Sequence, residues 1–158
     1  MATKVFYDFD PEEETGIKVP KAKRGEALEA VADFVKESVL STVGSGATPV
    51  EGGKWKKSLS KAYKKRKGDV SSSNFANLEL HGDMLDSLDV VKKRGPKPLR
   101  LLVDDDQMDK ADGHNNFSGK SKLPERNFIP DASRGQRLSP KIRRGMKSIL
   151  EEYSEDED

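Results

Sequence analysis

The sequence predicts an α+β fold: a small antiparallel sheet packed with two to three helices, with long loops and a disordered acidic C-terminal tail. Apolar residues recur at helical spacing near each end of the chain, at Leu28, Val31, Val35 and Val39 and again at Ile142, Met146, Ile149 and Leu150. Short β-branched and aromatic runs stand apart from these stripes, at residues 5–9 and 99–103. The stretch between residues 104 and 135 is dominated by Asp, Asn, Gly, Lys and Ser, and its few apolar residues leave it to be loop. No internal repeat is visible.

Each element has its own local signal. The opening VFYDF favours extended structure and Pro11 ends it; residues 10–24 read as a connecting loop. A helix is predicted over residues 25–42, where Ala27 and Phe34 widen the stripe and Gly44 supplies a stop. The segment GSGATPVEGG is a loop or hinge. A second, basic and amphipathic helix is predicted over residues 54–67, with Trp55, Leu59, Ala62 and Tyr63 near one face. After VSSSNF, the apolar residues Leu78, Leu80, Met84, Leu85 and Leu88 read as an extended piece followed by a helical turn around Gly82 and Asp83. Val90 and Val91 continue into a strand, and Leu99, Leu101 and Val103 mark the central strand, bounded by Pro98 and the acidic run at residues 104–106. The last helix is predicted over residues 139–153, capped by Ser139 with Pro140 in its first turn. The domain organisation is then an N-terminal arm at residues 1–24, a single domain at residues 25–150, and a disordered acidic tail at residues 151–158.

Hydrophobic residues make up 33% of the 158-residue chain and charged residues 36%, so much of it must be solvated surface, tail or interface covered on assembly. The net charge of +1 hides strong segregation: acids cluster at residues 8–14, 104–106 and in EEYSEDED, bases in KWKKSLSKAYKKRKG and KKRGPKPLR. The absence of cysteine excludes disulfides and thiolate metal sites. No signal-like or membrane-spanning apolar run occurs, so no membrane partner is expected.

Catalysis needs converging groups of tuned protonation, and the supply is thin. The chain has two histidines, His81 and His114, without ligand spacing, and no nucleophile elbow or phosphate-binding loop. No catalytic residue, metal site or cofactor is therefore expected. The acids at residues 104–106, with Asp109 and Asp112, lack the loop glycine and closing glutamate of a calcium loop, and read as a strand end leading into a short helix at residues 107–111. The basic helix reads as a solvated or interface face. Phosphate contacts through Lys64, Lys65, Arg66 and Lys67, with Trp55 and Tyr63 for stacking, make a nucleic-acid-binding protein the alternative.

One constellation is more specific. Leu78-Glu79-Leu80-His81-Gly82-Asp83-Met84-Leu85-Asp86-Ser87-Leu88 resembles the Leu-x-Leu-x-Gly-x-Met/Leu-x-x-Ser-Leu segment of the virion-morphogenesis proteins of tailed bacteriophages, the neck or tail-completion group. Before it, Trp55-Lys56-Lys57-Ser58-Leu59 and Tyr63-Lys64-Lys65-Arg66-Lys67-Gly68 resemble that family's basic helix. After it, Ala111-Asp112-Gly113-His114-Asn115 is similar to an Ala-x-x-His-Asn/Gln element, and Leu123-Pro124-Glu125-Arg126-Asn127-Phe128-Ile129-Pro130 to a Pro-x-Arg-x-Phe-Ile/Leu ending. The order matches over residues 50–132. The resemblance implies a non-enzymatic virion protein, assembled in the host cytoplasm, forming a homo-oligomeric and commonly hexameric ring at the head–tail joint. Its partners would be connector or head-closure proteins and tail terminator or tail tube proteins, with genomic DNA passing through the ring. It also implies structural or interface roles for Trp55, Tyr63, Leu80, Gly82, Met84, Leu88, His114, Asn115, Arg126 and Phe128. Phe128 would enter the core, Arg126 would pin a loop through carboxylate or carbonyl bonds, and His114 and Asn115 would order that loop. Gly82 would relieve a backbone angle costly to other residues.

Overall fold

The computed structural model describes residues 4–55, 82–120 and 126–154. Leu99 and Leu101 alternate with Arg100 along β4 (Leu99–Leu102), which sends both leucines into the core and makes this the central strand. β1 (Phe6–Phe9) and β3 (Asp89–Lys92) flank it, both antiparallel, in the order β1-β4-β3. The register pairs Phe6 with Leu102 and Phe9 with Leu99 on one side, and Asp89 with Leu102 and Lys92 with Leu99 on the other. A second, two-stranded sheet joins β2 (Val50–Glu51) to β5 (Arg137–Leu138).

The helices cover this framework. α2 (Lys21–Gly44) buries Ala27, Leu28, Val31, Val35, Val39 and Val43 and packs on β3, β4 and α5 (Pro140–Ser154). It begins four residues before the predicted start because Pro20, held at φ −54° and ψ 140°, is the last non-helical residue. α5 buries Ile142, Met146 and Leu150, and the Ser139 hydroxyl accepts from the Ile142 N–H at 3.4 Å. The two helices cross at Gly145, where a Cβ would overlap the Phe34 ring. The absent side chain sets how closely α5 lies on α2.

The reading of residues 10–24 as a loop is corrected by α1 (Pro11–Thr15). Asp10 accepts from the Glu12 N–H at 3.1 Å, Pro11 starts the turn, three glutamates favour its positive end, and Gly16 closes it in the left-handed region at φ 76°. Glu12 is itself buried: Oε2 accepts from the Val19 N–H at 2.9 Å, and Oε1 lies 3.1 Å from Arg24. Residues assigned to an N-terminal arm thus share the main core, to which Val5, Tyr7, Phe9 and Val19 belong together with Val31, Met84, Leu101, Phe128 and Leu150. At the other end α5 extends to Ser154, so residues 151–154 are helix, and residues 155–158 lie outside the described residues.

The basic helix does not begin at residue 54. Lys54 and Trp55 are extended, and Trp55 forms an isolated antiparallel bridge with Arg126. The rest of that prediction, with Tyr63, Lys64, Lys65, Arg66 and Lys67, lies outside the described residues, as does Leu80. α3 (Gly82–Asp86) opens on Gly82, and Met84 and Leu88 are fully buried just ahead of β3. Beyond β4 the acidic run forms a short 3-10 turn, Asp105–Gln107, that leads into α4 (Met108–Asn115). Among the described residues no helix is long and apolar enough to cross a membrane.

Candidate functional site

The core contains an unusual polar seam. His114, Asn115, Arg126, Asn127, Asp131 and Gln136 are all buried, and they come from the end of α4 and the chain leading to β5. Buried amides and carboxylates persist only when their hydrogen bonds are made, so the seam can be read bond by bond.

Asn115 is the last residue of α4. Its Nδ2 donates to the Ala111 carbonyl at 2.8 Å, and its Oδ1 accepts from the backbone N–H of Phe128 at 2.7 Å and of Ile129 at 2.9 Å. The helix stops there because Asn116 takes the left-handed conformation at φ 59° and returns its N–H to Asp112. That stop leaves the Asn115 carbonyl available to Asn127 Nδ2 at 2.9 Å and to Arg134 at 3.3 Å. The preceding carbonyl, of His114, accepts from the Arg126 N–H at 2.8 Å.

Asn127 ties the same segment to the loop before β2 and after it. Its Oδ1 accepts from the Lys54 N–H at 2.7 Å, its own N–H donates to the Lys54 carbonyl at 2.9 Å, and its carbonyl accepts from the Thr48 hydroxyl at 2.6 Å. Gly53 makes room: a Cβ there would lie 3.0 Å from Asn127 Cβ, Thr48 Oγ1 and Val50 Cβ. Phe128 and Ile129, both fully buried, are thereby driven into the core. The turn that follows is closed by Asp131 and Gln136, with the Asp131 N–H donating to Gln136 Oε1 at 3.0 Å and Asp131 Oδ1 accepting from Ser133.

The seam is a buckle fastening α4, the residue 48–55 loop and the approach to β5. The bonds of its amide side chains run to backbone groups, an arrangement that fixes the geometry of the three segments. His114, Asn115, Arg126 and Phe128 of the sequence-derived set meet here, and Trp55 touches the buckle through its bridge to Arg126. Met84 and Leu88 lie elsewhere in the same core. Asn127 was missed; its only sequence signal is an amide placed between Arg126 and the core residues Phe128 and Ile129.

Other titratable groups form defined pairs. Asp8 accepts two bonds from Arg100 directly across the sheet, at 2.7 and 3.0 Å, which hold its carboxyl below its ordinary range; the guanidinium also covers the Phe6 ring at 4.1 Å. Burial pushes the Glu14 carboxyl up, and burial together with its 2.6 Å bond to Glu14 pushes the Tyr7 hydroxyl up. A groove of about 460 Å³ runs between α2 and α5 past Phe34, Ser38, Thr42 and Ile142. A notch of about 320 Å³ is rimmed by Asp86, Asp104 and Asp106. Among the described residues no group of three or more acidic or histidine side chains is placed to hold a metal ion.

No family model matches the chain, and neither a curated protein nor a solved structure matches it.

Proposed function

We propose that the chain is a structural virion protein of a tailed bacteriophage that forms a ring at the head–tail joint and works by shape and contact, without catalysis. The observation that carries the reading is the buckle. Two of the segments that resemble neck and tail-completion proteins, Ala111 to Asn115 and, within Leu123 to Pro130, the stretch Arg126-Asn127-Phe128-Ile129, fasten to each other through Asn115 Oδ1 and the His114 carbonyl. Their residue types thus have a physical reason to occur together: an amide that ends a helix holds two consecutive N–H groups, and the aromatic between them anchors in the core. Met84 and Leu88 of a third segment pack into that core.

Ring assembly also accounts for a chain rich in charge. Complementary surfaces on neighbouring copies and on connector and tail proteins would be covered only in the particle, and a cyclic ring uses two different patches of each copy. Native mass spectrometry and electron microscopy of the purified full chain test this, alone and mixed with connector and tail proteins. A discrete cyclic oligomer is expected. A chain that stays monomeric or dimeric at high concentration and beside those proteins overturns the reading.

A further inference from the structure

Both edges of the three-stranded sheet are open among the described residues, and their backbone phase can be worked out. The Lys93 N–H donates to the Pro98 carbonyl at 2.9 Å. In an antiparallel ladder this turns the backbone groups of Asp89 and Val91 toward β4 and those of Val90 and Lys92 outward. Across the sheet, Leu99 and Leu101 then face their register partners Phe9 and Tyr7, which leaves the groups of Phe6 and Asp8 turned outward. Side chains follow the same alternation. Val90, Tyr7 and Phe9 are buried on the helix-covered face, while Asp89 and Val91 on β3, Lys93 just beyond it, and Phe6 and Asp8 on β1 stand on the other. Val91, 38% exposed, is the large hydrophobic residue left in water among the described residues.

An exposed edge with an apolar residue at its centre is a template for another strand. β1 and β3 are each antiparallel to β4, so they run parallel to each other at opposite edges. Head-to-tail copies would therefore bring β3 of one beside β1 of the next in parallel. Parallel pairing interleaves the outward groups and keeps buried face beside buried face; antiparallel pairing of the same two edges would turn the buried face of one sheet over to the outer face of the next.

Register then follows from charge. We propose that β3 of one copy adds in parallel to β1 of the neighbouring copy, with Asp89 against Lys4, Val91 against Phe6 and Lys93 against Asp8, continuing the sheet from copy to copy. In this register the Lys92 N–H donates to the Phe6 carbonyl, while the Lys92 carbonyl accepts from the Asp8 N–H and the Val90 carbonyl from the Phe6 N–H of the neighbour. Sliding two residues one way sets Val91 on Asp8 and Asp89 on Phe6; sliding the other way sets Val91 on Lys4 and Lys93 on Phe6. Only the proposed register matches sign and polarity at all three positions. Within one copy Asp89 lies 3.7 Å from Lys36 and its Oδ1 accepts the Val90 N–H at 2.9 Å, Lys4 lies 3.6 Å from Asp105, and Lys93 lies 3.6 Å from Asp8. The Asp89–Lys36 and Lys4–Asp105 pairs are largely exposed and exchange at little cost; Lys93 exchanges its own Asp8 for the neighbour's, while Arg100 keeps its two bonds to Asp8 in each copy. The inference rests on the ring reading, since head-to-tail contacts close into rings.

The absence of cysteine makes a direct test clean. A full-length Phe6→Cys/Val91→Cys chain, treated with a short thiol cross-linker, should give a ladder of covalent multimers ending at the ring's copy number, whereas each single variant stays monomeric on a denaturing gel. Lys92→Pro removes an outward N–H that has no partner among the described residues, so it should abolish the ring while leaving the far-ultraviolet circular dichroism unchanged. Covalent dimers from Val91→Cys alone would mean that two β3 strands pair about a two-fold axis, overturning the inference. A ring in native mass spectra with no ladder, or one that survives Lys92→Pro, overturns this interface and leaves the ring reading standing. A monomer under every condition overturns both.

Discussion

Asn115 holds more of this structure than its size suggests. Replacing it with alanine would strand two buried N–H groups, on Phe128 and Ile129, each worth about 1–3 kcal/mol when left unpaired. Asn115→Ala should therefore lower stability by about 3 kcal/mol, read as a shift of the urea midpoint with an unchanged slope. Asn127→Ala breaks the bond to the same residue's backbone carbonyl, which Asn115→Ala keeps, so the coupling of about 1 kcal/mol expected from a double-mutant cycle arises from the shared segment at Phe128 and Ile129 rather than from that bond; strict additivity would mean that the buckle is not one unit. Two carboxylates should pull the pH profile in opposite directions. Arg100 depresses Asp8, so its contribution is fully present above the ordinary aspartate value and fades as pH falls through its lowered folded value. Burial raises Glu14, so the fold favours its protonated form, and that contribution is lost as pH climbs from the ordinary glutamate value through the raised one. Glu14→Gln should accordingly raise stability at neutral pH and flatten the weakly acidic part of the profile, while Asp8→Asn should lower stability by about 1 kcal/mol at neutral pH. Thermal melts across pH 3 to about 8 would separate the two.

At the scale of elements, the contact between α2 and α5 turns on one missing side chain. Gly145→Ala in an exposed helix would stabilise by about 1 kcal/mol. Here the added methyl meets the Phe34 ring, so the same change should destabilise by about 1–3 kcal/mol. Adding Phe34→Leu should recover much of the loss, and a neutral Gly145→Ala single variant would show that the helices slide apart freely. The sequence carried the elements with strong period or alternation: the stripe from Leu28 to Val39, the stripe from Ile142 to Leu150, and the leucines of β4. It also carried the signal for α1, since Asp10-Pro11 followed by glutamates and Gly16 is a capped turn, but five residues are too few for a hydrophobic period to reveal. Lys54 and Trp55 were misread for the opposite reason. Their spacing to Leu59 and Tyr63 suits a helix, yet Asn127, distant in sequence, takes both backbone groups of Lys54 into an extended pairing. Long-range amide bonds of that kind have no periodic trace, so His114, Asn115, Arg126 and Phe128 could be singled out by resemblance while their mutual fastening could not.

For the molecule as a whole, the placement of β1 decides how assembly and stability are linked. The first strand contributes Tyr7 and Phe9 to the core, and Val5 joins them just ahead of it, while β1 covers one side of the central strand. Deleting residues 1–9 would withdraw three buried side chains worth about 1.5–3 kcal/mol apiece and leave β4 as an edge, enough to consume most of the margin of a small domain. That deletion should abolish cooperative unfolding, and the same strand offers its outer edge to a neighbour. Any bond formed there ties β1 down from both sides and binds only the folded chain, so stability must rise with protein concentration by mass action. The melting temperature of the wild-type chain should climb over a hundredfold range of concentration. Lys92→Pro, which leaves β1 and the core untouched, should melt at one temperature throughout that range, equal to the wild-type value at the dilute end. A wild-type melt independent of concentration, in a sample that native mass spectrometry shows to change its oligomeric state over that range, would mean that assembly uses a surface whose partners fold and unfold without it.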